Sequence, residues 1–527
     1  MNTPATRVLV RMALFVAAVV ALLPLLQAPA NPYDEGLVVV GAARVLGGEV
    51  PYSDFWSQYG PGQFYALAGL FAVFGKSLLV ERAWDVVVRA LLALVCFESA
   101  RRRSSTGPAL TAWALALLWL ATLGAPGYVV WPALALALTS LLLIAGPGPS
   151  AAALFGAGAC AGAATVFRHD LGGYVLVAEA AALTWTRARR GGIRGADLAW
   201  FGAGGAAVLA PVAGAFLLVV PPALLLDQLV VFPLTVFPHV RGLPYEHFRW
   251  ARGALPYYLP FVVYAVLLVR ALARAATPAR PVADTLAPIA LGLFGLLAFN
   301  QARVRSDPAH VGPFYLTSLI AACWLLPGQV RGRAPRGGMA TIAIAGATAL
   351  AVLLALNPLH GYRDLLRSRA ARDRAARATR MIVPAGWPAG LEPDEAAAAE
   401  RVRAWTAAGD AIYVGLARHD RIFVNDAMFY FLAERRPGTR YHELHPGVAD
   451  RAGVQREIAA DLERSGVRWV VLTDRFEGGY ELAHRGFPPG ATLLDTTIAA
   501  RYSEVARVGR YRILRLRSRG STDAARP

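Results

Sequence analysis

Long apolar runs separated by short polar segments repeat along the first 360 residues of the chain. Most runs are close to the roughly 20 residues that a membrane-spanning helix requires. The pattern therefore predicts a polytopic α-helical membrane protein with about eleven transmembrane helices. The predicted spans are 8–26, 79–100, 109–123, 129–145, 151–167, 171–186, 196–220, 256–269, 285–299, 311–326 and 339–356.

The polar segments between the runs differ in charge. Arginines cluster in alternate segments, as is typical of cytoplasmic loops, namely 101–103, 187–194, 270–280 and 331–336. The segments 31–78, 221–255 and 300–310 fall between them and are therefore predicted to be external. Residues 357–527 follow the last outward span and are expected outside as well.

Three segments qualify this topology. The apolar run 62–74 is too short to span and predicts an interfacial or re-entrant helix within the first external loop. The segment 361–392 is predicted to be a juxtamembrane linker, and its arginine cluster 363–380 opposes the usual charge bias. Orientation is set mostly by short loops, and such a cluster suits anionic lipid headgroups. A signal peptide at 8–26 remains open, although the run exceeds a normal signal core.

Beyond residue 393 the composition becomes that of a soluble protein. Alternating elements predict a small extracytoplasmic α/β domain at 393–527, with strands at 411–416, 422–424, 467–472 and 511–516 and helices at 426–435 and 454–464. The region contains no phosphate-binding glycine loop and no nucleophile elbow. We expect it to cap the membrane domain or handle the acceptor. Its histidines His419, His442 and His445 are predicted to lie on the surface.

Composition excludes several classes of protein. The 527 residues are 56% hydrophobic and 17% charged, with a mean hydropathy of +0.43, which is too apolar for a soluble enzyme of this size. The net charge of +18 would suit nucleic acid, but the arginines lie in membrane loops, so no nucleic-acid partner is predicted. The three cysteines fall in apolar runs and imply no disulfide framework.

The first external loop carries the clearest chemical signal. Asp34 and Glu35 directly follow the first span, where two adjacent carboxylates are costly unless they are solvated, paired or used. One could act as a general base while its neighbour orients the substrate or holds a divalent cation. The alternative is that the pair caps a helix over 36–46, because acidic residues suit a first helical turn.

Two basic clusters interrupt other spans. Arg168, His169 and Asp170 separate two runs of roughly 16 residues, each covering only about 24 Å, so the triplet is predicted to lie in a recess. Arg303, Arg305, Asp307 and His310 form a matching cluster. A guanidinium in such a place suits a phosphate group. The alternatives are a turn with an internal Arg–Asp pair and a solvated loop. The charges of 221–255, including Arg241, are interpreted as solvated.

An acidic loop and basic groups on one side of the membrane suit a sugar donor linked to a lipid phosphate. The leaving phosphate needs cationic stabilisation, and the acceptor hydroxyl needs a base.

The residues of the first loop resemble a known family. YDEG at 33–36, ARVLGGEVPYSDF after it, YGPGQFYALAGLFAVFG and then Arg82 resemble the GT-C superfamily of integral-membrane glycosyltransferases. The resemblance is to the protein-mannosyltransferase and aminoarabinose-transferase branch (glycosyltransferase family 39-like) and covers roughly residues 8–360. It implies a polyprenyl-phosphate sugar donor used outside the cytoplasmic membrane, with inversion at the anomeric carbon. Asp34 matches the catalytic aspartate of the family, and Glu35 matches the adjacent acid.

The sequence departs from two branches of that superfamily. It matches neither the repeat domain of eukaryotic protein mannosyltransferases nor the WWD-type motif of oligosaccharyltransferases. A glycan or lipid of the cell envelope is therefore the expected acceptor, rather than a protein.

Our hypothesis is a multi-pass glycosyltransferase of the bacterial inner membrane that also contacts membrane lipids. Asp34 and Glu35 are the predicted catalytic residues, and the donor phosphate is assigned to Arg168, Arg305 and His310. Support for the acceptor or a metal is assigned to Asp54, Tyr59, His169, Asp170 and Asp307. A divalent metal ion is left open as a cofactor. The alternatives are a flippase or other transporter for lipid-linked glycans and a non-catalytic envelope scaffold.

Overall fold

The computed structural model describes residues 3–122, 126–146, 148–190, 192–243, 255–275, 282–326, 345–346, 348, 392–477 and 488–518. The arginine loop 331–336 and the arginine cluster 363–380 lie outside these residues. The predicted last span, 339–356, lies almost entirely outside them as well.

Helices dominate the described part of the membrane domain. The first, α1, is extended at its carboxyl end by a 3₁₀ turn at Leu23–Gln27. The helices are α1 (Pro4–Leu22), α2 (Asp34–Leu46), α3 (Gly62–Phe74), α4 (Leu78–Arg101), α5 (Thr106–Thr122), α6 (Val130–Ile144), α7 (Ala151–Phe167), α8 (His169–Arg190), α9 (Gly195–Val219), α10 (Pro222–Leu226), α11 (Phe237–Val240), α12 (Leu255–Ala275), α13 (Ala283–Val304) and α14 (Pro308–Leu325).

Each predicted span that falls within the described residues is a helix. Among the described residues, five helices are long and apolar enough to cross a membrane, namely Pro4–Gln27, Gly195–Val219, Pro222–Val240, Tyr258–Ala275 and Asp284–Val304. Shorter apolar helices include α5, α6 and α7, whereas α4 and α8 are long but carry charged residues. The apolar run at 62–74 is the helix α3, as its pattern predicts. The protein is therefore a multi-pass helical membrane protein.

The segment 221–255, predicted to be an external loop, is helical over its first half, and this helix was not predicted. A π-helix at Asp227–Val236 joins α10 to α11, so residues 222–240 form one nearly continuous helical segment. Its sequence is almost wholly apolar, and Pro233 lies inside it. Because proline lacks a backbone N–H, the wider π turn accommodates a position that an α-helix tolerates poorly. The start of the third predicted loop is also helical, since α13 continues to Val304.

The carboxyl-terminal region contains a five-stranded mixed sheet in the order β2-β1-β3-β5-β4. Strand β1 is parallel to β2 and β3, while β3–β5 and β5–β4 are antiparallel. The strands are β1 (Ala411–Leu416), β2 (Arg436–Pro437), β3 (Trp469–Thr473), β4 (Tyr502–Val508) and β5 (Tyr511–Leu516), and the helices are α15 (Pro393–Trp405), α16 (Met428–Ala433), α17 (Ala452–Arg464) and α18 (Leu493–Arg501).

The α/β prediction is confirmed for most of these elements. Strands β1 and β5 coincide with their predicted bounds. No strand forms at 422–424. This segment is irregular, and its Ile422 is nevertheless buried in the core. Strands β2 and β4 and helices α15 and α18 were not predicted. Strand β4 (YSEVARV) is mostly polar on its exposed face, which weakens its sequence signal.

The prediction that three histidines lie on the surface is wrong. His419, His442 and His445 are 0%, 3% and 1% exposed. The ring of His419 bonds Asp495 at Nδ1 and Tyr413 at Nε2, both at 2.7 Å. Burial of the imidazole rings is tolerated because each ring contacts polar or aromatic partners.

The sheet domain packs directly onto the first external loop. Valines of α2 share one apolar cluster with Met428 and Phe429 of α16. The N–H of Met428 donates to the carbonyl of Pro32 at 2.9 Å, and that of Trp56 donates to the carbonyl of Arg440 at 3.0 Å. This contact holds the first loop between the membrane helices and the sheet domain.

Candidate functional site

A cavity of about 250 Å³ lies where the first loop, the membrane helices and the sheet domain meet. Its walls come from segments far apart in sequence and include both acidic and basic groups. The lining residues are Asn31, Tyr33, Asp34, Gln58, Tyr59, Tyr128, Phe237, Arg241, Arg305, Asp307, Ala309, His310 and His445. The membrane segments contribute through the connections α1–α2, α5–α6 and α13–α14 and through α11, so the charges gather at one end of the helices.

Asp34 begins α2 and is held there by Asn31. The side-chain oxygen of Asn31 accepts from the N–H groups of Tyr33 and Asp34 at 3.0 and 2.9 Å, while its Nδ2 donates to Oδ2 of Asp34 at 3.1 Å. The helix cap is thus supplied by Asn31, which leaves the Asp34 carboxylate on the cavity wall. Burial raises the pKa of Asp34, and the positive charge of Arg241 opposes that rise.

The basic cluster after α13 faces Asp34. Arg305 Nε donates to Asp307 at 2.6 Å, and its NH1 donates to the carbonyl of Arg241 at 2.8 Å. The other Asp307 oxygen lies 2.7 Å from Nδ1 of His310. Burial alone would raise the pKa of Asp307, but His310 and Arg305 hold that pKa below its ordinary value. Asp307 is therefore a carboxylate that fixes both basic side chains.

A hydrogen-bonded chain continues from this cluster to the triplet at the start of α8. Nε2 of His310 lies 3.2 Å from the hydroxyl of Tyr128, to which Arg168 NH1 donates at 3.0 Å. Arg168 Nε donates to Asp170 at 3.1 Å, and Gln301 donates to the other Asp170 oxygen at 2.7 Å. The two basic clusters predicted from sequence are therefore joined through Tyr128 into one network.

A second cavity of about 440 Å³ adjoins the first. The two share Gln58, Tyr59, Phe237 and His310. One end is polar, with Arg168, His169 and Asp170, and Nδ1 of His169 is buried with no described partner. The other walls are apolar and come from α8, the π-helix and α13, namely Val177, Leu229, Val230, Pro233, Leu234, Leu297 and Val304. A charged cavity thus opens into an apolar groove between membrane helices.

Glu35 lies outside both cavities. It is fully buried and pairs with Arg82 of α4 at 2.7 Å, and Arg82 also donates to the carbonyls of Leu26 and Ala28. The second Glu35 oxygen accepts from the N–H of Asn31 at 2.9 Å. Glu35 therefore ties the start of α2 to α4 and to the end of α1.

Asp54 is also placed away from Asp34. Its Oδ2 accepts from the N–H of Val50 at 2.7 Å, and it lines a different cleft together with Arg44 and Glu49. The structure therefore brings together Asp34, Tyr59, Arg168, His169, Asp170, Arg305, Asp307 and His310, but neither Glu35 nor Asp54.

Several residues of the site were not predicted from the sequence. Arg241 was interpreted as a solvated charge, yet it is 7% exposed and lies 5.8 Å from the ring centre of Tyr33. Glu443 of the sheet domain accepts from the hydroxyl of Tyr33 at 2.9 Å, and burial raises its pKa to about 8. His445 and Tyr128 line the cavity. The polar, aromatic stretch YHELH at 441–445 was the one available signal for the sheet-domain residues.

The side chains that the structure describes at this site do not fit a divalent metal ion. Among the described residues no group of three His, Cys, Asp or Glu side chains is arranged to hold an ion. Asp307 and Asp170 are each occupied by an arginine, and Asp34 faces Arg241. Oxygen-rich sites without competing cations are what magnesium and calcium require.

The fold and this site define a multi-pass helical membrane protein with acidic and basic groups gathered at one end of its helices. No family model and no curated protein sequence matches the chain. Among solved structures it is similar to ArnT from Cupriavidus metallidurans, bound to undecaprenyl phosphate (14% identity, TM-score 0.51) and in the apo state (16%, 0.52). Each match covers 97% of this chain and 98% of ArnT.

A second fold neighbour is an oligosaccharyltransferase from Archaeoglobus fulgidus tethered with an acceptor peptide. The identity is 12% and the TM-score 0.50, and the match covers 94% of this chain and 72% of the other. Both neighbours have the GT-C fold. This chain therefore has a GT-C fold, as its first loop predicts.

Proposed function

We propose that this protein is a glycosyltransferase of the bacterial inner membrane that uses a polyprenyl-phosphate sugar on the extracytoplasmic side. The observation that carries the proposal is the position of Asp34. It faces Arg241 and Arg305 across a cavity that opens into an apolar groove between membrane helices. Such a pair of cavities suits a sugar phosphate at the charged end and an isoprenoid chain along the groove.

The likeness to ArnT supports the choice of donor. One of the ArnT structures holds undecaprenyl phosphate, which combines the phosphate and the apolar chain that the two cavities would accommodate. The acceptor is expected to be a glycan or lipid of the cell envelope.

The proposed reaction is a direct displacement. Asp34 takes the proton of an acceptor hydroxyl. At the same time the oxygen of that hydroxyl attacks the anomeric carbon of the donor sugar from the face opposite the phosphate. The bond between that carbon and the phosphate oxygen breaks, and its electron pair leaves with the polyprenyl phosphate. The new glycosidic bond therefore has inverted configuration. Asp34 ends protonated and returns its proton to water.

The basic residues stabilise the departing phosphate. Arg241, Arg305 and His310 line the cavity, and Arg168 lies at the mouth of the groove. Fixed cations that face developing negative charge lower the barrier most when they are already oriented, and Asp307 and Tyr128 orient them here. Glu35, which pairs with Arg82, is assigned a positioning role, and no step uses a metal ion.

The experiment is a donor panel on the purified protein in detergent. Radiolabelled polyprenyl-phosphate sugars that differ in the sugar are tested for equilibrium binding and for release or transfer of sugar. The proposal predicts binding of at least one donor in competition with polyprenyl phosphate, and turnover when the acceptor is supplied. Failure to bind any of the donors would contradict it and favour a scaffold. Donor movement across a vesicle membrane without sugar release would favour a transporter.

A further inference from the structure

A cleft of about 1050 Å³ lies beside the packed contact, between one part of the first external loop and the sheet domain. The loop side is formed by the carboxyl end of α2 and by the segment before α4. The opposite side is formed by residues around β2 and the end of α17. None of its lining residues lines the cavity around Asp34. Because α2 rises 1.5 Å per residue, Arg44 in the cleft lies about 15 Å from Asp34 along the helix.

The cleft has an excess of positive charge. Its cationic lining residues are Arg44, Lys76, Arg435, Arg436, Arg440 and Arg464, against the acidic residues Glu49, Asp54, Glu434 and Asp461. The acidic residues are already engaged, as Glu49 pairs with Arg44 at 2.6 Å and Asp461 pairs with Arg464 at 2.9 Å. Glu434 pairs with Arg403, and Asp54 accepts from the backbone.

Four cations of the cleft have no carboxylate partner among the described residues, and one of them, Arg435, is buried and donates to the hydroxyl of Thr406 and to backbone carbonyls. Lys76, the only lysine of the sequence, is exposed, and Arg436 is exposed with its Nε donating to the carbonyl of Gly409 at 3.2 Å. Arg440 donates from NH2 to the carbonyl of Tyr52, but its Nε is buried and reaches no acceptor in the described chain. A buried donor without a partner is costly, and a ligand acceptor would satisfy it.

We propose that this cleft binds an anionic saccharide, that is, a sugar chain bearing carboxylate or phosphate groups. Guanidinium groups match the geometry of both anions. The volume lies at the upper end of the range for small-molecule sites, so a chain of several sugars fits better than a single one. Phe431, which is partly exposed, adds aromatic surface to the wall. The site is separate from the proposed transfer site and does not depend on its chemistry.

The test is calorimetric titration of the full-length protein in nanodiscs made from a zwitterionic lipid. The probe is tetragalacturonate, and its methyl ester is the neutral control with the same backbone. We expect the acid to bind about tenfold or more tightly than the ester, and its affinity to fall as salt is raised. Equal affinities of acid and ester, or no binding of the acid, would overturn the proposal.

Variants locate the binding. Lys76→Gln and Arg436→Gln change exposed side chains, and each should weaken binding about tenfold through loss of a charge-assisted interaction. Arg468→Gln, an exposed arginine outside the cleft, should leave the affinity unchanged. Equal effects of all three substitutions would indicate non-specific attraction and refute the site. Asp34→Asn should bind the probe as the wild type does, so failure of the transfer proposal would leave this result intact.

A lipid headgroup is the competing source of anionic groups, since Val73 and Phe74 beside Lys76 are 73% and 68% exposed and apolar. Vesicles of phosphatidylglycerol therefore form the second arm. If Lys76→Gln and Arg436→Gln weaken binding to vesicles but not to tetragalacturonate, the cleft is a lipid site and the saccharide proposal fails. If they weaken only tetragalacturonate binding, the proposal stands.

Discussion

Asp34 takes its chemical setting from residues that lie far from it in the sequence. Arg168, Arg305 and His310 were predicted because each falls next to the end of an apolar run, where charge is expensive. The same reasoning could not reveal Arg241 or Glu443. Arg241 lies in a charged segment that also suits solvent, and Glu443 reaches the site only because a domain some 400 residues away docks there. The stretch YHELH at 441–445 marks a polar, aromatic segment, but local sequence pattern does not specify where that segment docks.

Arg305 and Arg303 provide a matched test of the phosphate assignment. Arg305 lines the cavity, whereas Arg303 is exposed and bonds Asn300. Arg305→Gln should weaken binding of a polyprenyl-phosphate sugar by about tenfold or more, because a hydrogen bond to a charged group contributes 1.5–3 kcal/mol. Arg303→Gln should change it less than twofold. Competition binding with labelled donor checks both, and equal effects of the two variants would count against the assignment.

Glu443 should make the docked state sensitive to pH. Its pKa is raised from 4.5 to about 8 by burial, so the folded protein holds a proton that the unfolded chain loses. The stability that protonated Glu443 contributes is therefore fully present below pH 4.5. It declines as pH rises toward 8, by at most about 1.4 kcal/mol per pH unit. Glu443→Gln keeps an acceptor for Tyr33 and should remove that decline. Thermal unfolding across this range measures it, and identical profiles for variant and wild type would contradict it.

At the scale of elements, the ion pair between Glu35 and Arg82 fixes the start of α2 against α4. Both side chains are at most 1% exposed. Removal of one partner leaves a buried charge uncompensated, so Glu35→Ala should lower stability by about 3–5 kcal/mol. The double variant Glu35→Ala, Arg82→Met should recover part of that loss. Thermal unfolding in detergent compares them. If Glu35→Ala unfolds like the wild type yet lacks turnover, Glu35 acts in the chemistry instead.

The helices were predictable because apolar length and charged boundaries specify them locally. The helix at 222–240 was not predicted, because a segment of apolar residues broken by prolines is equally typical of a loop at the membrane surface. Likewise, Asp54 shares a loop with Asp34, but α2 carries the chain away over 13 residues before Asp54 is reached. The presence of two acidic residues in one loop therefore does not show that their side chains lie in the same site.

At the scale of the whole molecule, the sheet domain and the first loop act as one packed unit. Gly36 makes this possible, because a Cβ there would lie 2.4 Å from the backbone nitrogen of Met428. Gly36→Ala should force α2 and α16 apart and expose their shared cluster. Hydrogen exchange at Val38–Val40 and Met428–Tyr430 should become faster, with loss of turnover.

Gly69→Ala is the control for this substitution. Gly69 lies in α3, where an added Cβ meets nothing within 4 Å, so the change should be neutral or slightly stabilising. Unchanged exchange in Gly36→Ala would show that docking does not depend on this close approach.

In the proposed reaction, Asp34 removes the proton of the acceptor hydroxyl. The most direct measurement compares wild type, Asp34→Asn and Asp54→Asn in donor binding and in sugar release under single-turnover conditions. We expect Asp34→Asn to bind donor normally while its rate falls about 10²–10⁴-fold, which is the usual contribution of a general base. Asp54→Asn, in the same loop but outside the cavity, should react like the wild type. Full turnover by folded Asp34→Asn would show that Asp34 is not the base.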